Sequence, residues 1–141
     1  MAAYGKIEDW DVSRVTTMSS LFKAQATCNP QIGNWDTATV TRMDYMFYGA
    51  SAFNQAIGKW DTARVTNMDG MFYDARAFDQ AIGAWNTAAV NYMRAMFQGA
   101  SAFNQKLCWT RAQASSKGIF LWTSCPDDSC WGTGTWPGSC T

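Results

Sequence analysis

Six threonines stand at intervals of 25 residues in two files, Thr37, Thr62 and Thr87 in one and Thr16, Thr41 and Thr66 in the other. A regular row of hydroxyls and methyls can order water. If successive turns of the chain pair as strands do, equivalent residues lie about 4.7 to 4.9 Å apart, close to an oxygen repeat of ice. A flat ladder of this kind then forms an ice-binding surface. The same side chains also have a simpler use, since a Thr ahead of a helix caps it and one within a helix bonds its own backbone.

Other residues with chemical potential are read in the same way. Asp11, Asp36, Asp61 and Asn86 form a column. One carboxylate per repeat falls short of the six to eight converging oxygens that calcium takes, so the column is assigned to helix N-capping and no metal is expected. Cys108, Cys125, Cys130 and Cys140 contain no Cys-x-x-Cys pair, which favours two disulfides over a zinc site, in any of three connectivities. Cys28 falls in a column of phenylalanines and reads as a small buried apolar residue. Catalysis has little to work with: histidine is absent, Glu8 is the single glutamate, and no nucleophile elbow, phosphate loop or dinucleotide fingerprint occurs. A non-enzyme without a cofactor is expected.

The elements that position these residues follow from a repeat. Ile7, Ile32, Ile57 and Ile82 begin four units, and Trp10, Trp35, Trp60 and Trp85 keep the same register, as do Val15, Val40, Val65 and Val90. Met18, Met43, Met68 and Met93, then Phe22, Phe47, Phe72 and Phe97, complete the columns. No unit can bury its Trp, Met and Phe alone, so the columns must stack. Val65, Met68, Met71 and Phe72 have the spacing of one helical face, with Asp61 and Thr62 as cap. The short, glycine-marked stretch 54–58 sits where a stacked coil needs its strand. The expected fold is an α/β repeat solenoid of leucine-rich-repeat type, with one short parallel strand and one short helix per coil. Its four coils span 7–31, 32–56, 57–81 and 82–106 within 1–106, and a disulfide-stapled Cys/Trp-rich cap spans 107–141.

The units IGNWDTATVTRMDYMFYGASAFNQA and IGKWDTARVTNMDGMFYDARAFDQA resemble the BspA-like, leucine-rich-repeat-related family, whose repeat runs Trp-Asp-Thr-Ser-x-Val-Thr-x-Met-x-x-Met-Phe. The resemblance covers residues 7 to 106, and it departs from the family at Ala38, Ala63 and Ala88, where Ser is usual. It implies surface adhesion and recognition, and similar repeats in algae include antifreeze proteins.

Charge narrows the partners. Eleven basic and eleven acidic residues cancel and form no run, so nothing steers nucleic acid toward the chain. No apolar stretch suits membrane insertion. The late cysteines suit an oxidising compartment, so a secreted, extracellular monomer is expected, its signal peptide absent from this sequence. Ice binding through the six threonines is the leading expectation. The alternative is an extracellular adhesion module with a protein ligand, favoured by repeat-to-repeat variation at Lys59, Arg64, Tyr73 and Arg76. A third is a glycan ligand held by Trp131 and Trp136.

Overall fold

The computed structural model describes residues 4–107 and 109. Successive 25-residue turns of chain lie one on another, and a single parallel bridge recurs at each junction: Thr17 with Arg42, Arg42 with Asn67, Asn67 with Tyr92. Because the sequence repeats in register, each apolar column becomes a file of stacked side chains. Phe22, Phe47, Phe72 and Phe97 stack at centroid distances of 5.5, 5.4 and 5.5 Å, tilted by no more than 8°. Phe53, Phe78 and Phe103 repeat at 6.0 Å, and Trp60, Trp85 and Trp109 at 6.3 Å. Offset aromatic stacking adds about 0.5–1.5 kcal/mol per pair beyond the area buried. The indole N–H of Trp35, Trp60 and Trp85 donates to the carbonyl of Ile7, Ile32 and Ile57 in the preceding turn, so burial of these rings leaves no orphan donor.

The expected helix does not form. Over 68–75 the backbone N–H groups alternate in direction: those of Met68, Gly70, Phe72 and Asp74 donate to the next turn, each at 2.8 Å. Those of Met71, Tyr73 and Ala75 reach back only three residues, to Met68, Gly70 and Phe72. The same alternation runs through 18–25 and 43–50. Left-handed residues recur at Ser20, Tyr45, Gly70 and Ala95, and again at Ala24, Gly49, Asp74 and Gly99, and a right-handed helix tolerates neither. The physical reason is spacing. A helix with its side chains is about 10 Å across, whereas phenylalanine files repeating at 5.4 to 5.5 Å leave room for one thickness of extended or turning chain. The apolar spacing 65, 68, 71, 72 is met by a chain of tight turns.

The expected strand at 54–58 is absent too. The bridges lie at 17, 42, 67 and 92, inside the stretch assigned to helix, and none lengthens into a strand. Among the described residues the one helical element is a 3-10 turn, Ile7–Asp9. An α/β solenoid of helix and sheet is therefore not the architecture. The described residues form a stack of turn-built coils with hardly any regular secondary structure. The column expected to cap helices serves these turns instead, as Asp11, Asp36, Asp61 and Asn86 each accept the N–H two residues on.

Around 54–58 the stack is held by side chains. Asn29, Asn54 and Asp79 each accept, through Oδ1, the N–H of the equivalent residue one turn later, and Gln55 and Gln80 donate to the carbonyls of Asn29 and Asn54. Gly33 and Gly58 are required here by close approach, since any Cβ would run into the carbonyl oxygen of Ala56 or Ala81. The expected disulfide-stapled cap and its candidates Cys108, Cys125, Cys130 and Cys140 lie outside the described residues, as do Trp131 and Trp136. Cys28 is free and exposed, not buried.

Candidate functional site

The two threonine files part company. Thr37, Thr62 and Thr87 are buried, at 1%, 1% and 8% exposure. The Thr37 and Thr62 hydroxyls donate to the carbonyls of Asp61 and Asn86 at 3.0 and 2.9 Å. They face the seam between turns because the Asx turn that begins at 36 or 61 directs the next side chain inward. These three residues offer no surface to ice or to any other partner.

Thr16 is exposed, and Thr41 and Thr66 are half-buried. Their file follows the stack, but Thr41 and Thr66 each donate both backbone N–H and hydroxyl to the carbonyl of the preceding threonine. What remains for a partner is the methyl and an accepting lone pair. In the fourth turn the position is Asn91, which ends the file. The six threonines thus do not converge on one face.

A different cluster lies on the segment that carries the bridges. Tyr48 and Tyr73 stack at 4.6 Å with 7° between their planes, and Tyr45 meets Tyr48 edge-on at 6.0 Å. The Lys23 ammonium lies 5.4 and 5.3 Å from the centres of the Tyr45 and Tyr48 rings, within cation–π range. Tyr45 is 39% exposed, and Tyr48 and Tyr73 are half-buried. The backbone makes the room: Gly70 has φ +57°, and a Cβ there would sit 2.8 Å from two atoms of the Tyr45 ring.

Beside this cluster runs a polar seam. Asp44 is buried, accepts hydrogen bonds from Nε and Nη2 of the Arg42 guanidinium at 2.9 and 3.0 Å, and accepts the Ser19 hydroxyl at 2.7 Å. Burial pushes its carboxyl up, but the hydrogen bonds from Arg42 and Ser19, a backbone N–H and the Arg42 charge outweigh that, and the carboxyl sits below the ordinary aspartate value. In the next turn Asp69 accepts the Arg94 N–H at 2.6 Å.

Of the tyrosine cluster, only Tyr73 stood out from the sequence. Tyr45, Tyr48 and Lys23 carried a usable signal: the column 23, 48, 73, 98 reads Lys, Tyr, Tyr, Gln, and the column 20, 45, 70, 95 reads Ser, Tyr, Gly, Ala, while the core columns between them hardly change. Lys59, Arg64 and Arg76 are not part of the cluster, although all three are exposed as their variation suggests.

A family model described as Mycoplasma protein of unknown function, DUF285, matches residues 1–109. No curated protein and no solved structure matches the chain.

Proposed function

The chain belongs to the DUF285 family, related to the BspA-like repeats, and we propose that it is a non-catalytic recognition module that binds a protein partner through the tyrosine face. The observation that carries this reading is the cluster of Tyr45, Tyr48 and Tyr73 with Lys23, set on an otherwise repetitive stack. Tyrosine brings large, rigid contact area at small entropic cost, and aromatic anchors dominate protein interfaces. The rings are already fixed by one another and by Lys23, so little freedom is lost on binding. The non-catalytic part rests on the residue inventory, with no histidine and a single glutamate. An extracellular, adhesive setting is part of the same proposal and rests on the cysteine-rich C-terminal stretch.

Ice binding now has only Thr16, Thr41 and Thr66 to rest on, with their hydroxyl protons largely committed. The deciding experiment compares the wild type with the double variant Tyr48→Ala/Tyr73→Ala for adhesion to an array of immobilised extracellular proteins, with ice growth measured on the same samples. The proposal expects a saturable protein contact that weakens at least about a hundredfold, as loss of two hot-spot rings should, while the circular dichroism of the variant is unchanged. Thermal hysteresis and faceted ice that persist in the variant would overturn it in favour of the remaining threonine file.

A further inference from the structure

Tyr48 and Tyr73 hold the same position on successive coils, and their backbones are set alike. Each N–H reaches back three residues, to the carbonyls of Tyr45 and Gly70, and each carbonyl accepts an N–H from the coil before, that of Ala24 or Gly49, at 2.7 Å. Matched backbones send the two side chains out in parallel, so the rings lie face to face at 4.6 Å with 7° between their planes. Both residues are half-buried, so part of each ring meets solvent. Among the described residues the other rings stacked between coils are phenylalanines and tryptophans of the core. Tyr45 meets Tyr48 edge-on within its own coil, at 6.0 Å. Phenylalanine resists one-electron oxidation and burial shields the core tryptophans from it, whereas an accessible phenol gives up an electron and a proton readily.

We propose that Tyr48 and Tyr73 are an oxidative cross-linking site, at which a haem peroxidase with hydrogen peroxide joins the two rings and locks their coils together. The oxidant takes one electron from each phenol, and the phenolic protons pass to solvent. Each phenoxyl radical carries spin on the ring carbons beside the oxygen-bearing one, so a bond forms between one Cε of Tyr48 and one Cε of Tyr73. The hydrogen on each of these carbons leaves as a proton and each oxygen takes one up, which restores two phenols. The chain loses two hydrogen atoms in all, and one hydrogen peroxide is reduced to two waters. Coupling requires the rings to turn from face to face to edge to edge, a picosecond-to-nanosecond rotamer motion where a side chain is partly exposed. A radical on one ring therefore meets the other before it meets a second molecule, as held neighbours do. The consequence is mechanical. One parallel bridge and a few backbone bonds tie each coil to the next, and the rung would join residues 25 apart in the chain. Closing a loop of that length shifts the folding equilibrium by at least about a hundredfold through chain entropy. The site stands whether or not the tyrosine face binds a protein.

The test treats the full chain, in dilute solution, with a haem peroxidase and stoichiometric hydrogen peroxide. The expected product is a monomer lighter by two hydrogen atoms that shows the blue emission of dityrosine. Its tryptic digest should link peptide 43–59 to peptide 65–76, with fragmentation placing the bond between Tyr48 and Tyr73. In urea the linked monomer should unfold later than the untreated chain, by the shift given above. Tyr48→Phe and Tyr73→Phe each keep a ring that can stack but remove a phenol, and each should lose the monomeric link, while Tyr45→Phe should retain it. Absence of any link, links between molecules alone, or a monomeric link that survives Tyr73→Phe would overturn the proposal. So would a linked monomer no more stable than the untreated chain.

Discussion

At the scale of single residues, the molecule separates side chains that serve the seam from those that face a partner. Asp44 is the clearest of the former, a buried carboxylate held by Arg42 and Ser19. Its depressed pKa sets a sign. Ionised Asp44 is favoured in the folded chain, so its contribution is complete above the unfolded value of about 3.9 and fades as the pH falls through the lower native value. Asp44→Asn should therefore be less stable than wild type in urea at pH 7, with the two melting curves converging as the pH is lowered below about 4, where the carboxyl takes up its proton. Curves that stay equally separated at the acid end would show that the group does not titrate with unfolding. Gly58 belongs to the same scale: the carbonyl of Ala81 occupies the space a methyl needs. Gly58→Ala should cost about 1–3 kcal/mol as an overpacked site, read from the urea midpoint, whereas Ala63→Gly on the exposed turn should cost less than about 1 kcal/mol.

At the scale of the element, the repeating unit is a chain of turns whose N–H groups point alternately back along the chain and across to its neighbour. Each coil is thereby tied to the next through the backbone, although the described residues contain neither an α-helix nor a sheet. The left-handed positions give that alternation its geometry, and four of the eight are glycine, aspartate or another residue that tolerates it: Gly49, Gly70, Asp74 and Gly99. Ser20, Ala24, Tyr45 and Ala95 adopt the same φ against their preference. Replacing Ala95 by Gly should stabilise the chain by up to about 1 kcal/mol, because the backbone strain of a left-handed alanine is removed. A thermal melt that falls instead would mean that the entropy gained by the unfolded glycine chain exceeds the relieved strain.

At the scale of the whole molecule, stability is distributed along the stack, as in other nearest-neighbour arrays. Interior coils have two neighbours and the first has one, so equal truncations should differ in cost by position. Phe72→Ala removes a ring stacked on Phe47, Phe78 and Phe97 and should cost about 3–5 kcal/mol. Phe22→Ala loses a ring stacked on Phe47 and Trp35 alone and should cost roughly half as much by the same scale. Equal costs in denaturant titrations would contradict the picture of additive neighbour contacts.

The sequence by itself determined which residues are equivalent. A 25-residue period places Ile7 with Ile32, and Trp35 with Trp60, whatever the chain does between them, because like side chains must meet in a shared core. It did not determine the path between columns. Val65, Met68, Met71 and Phe72 are spaced alike on a helix and on a run of tight turns, and only the distance between stacked rings, too short for a helix, chooses between them. Nor did it tell Thr62 from Thr66, two threonines four residues apart, one in the seam and one at the surface. That difference arises from the Asx turn at Asp61 and the carbonyl of Asn86 above it, and the second of these is brought near only when the next coil is in place.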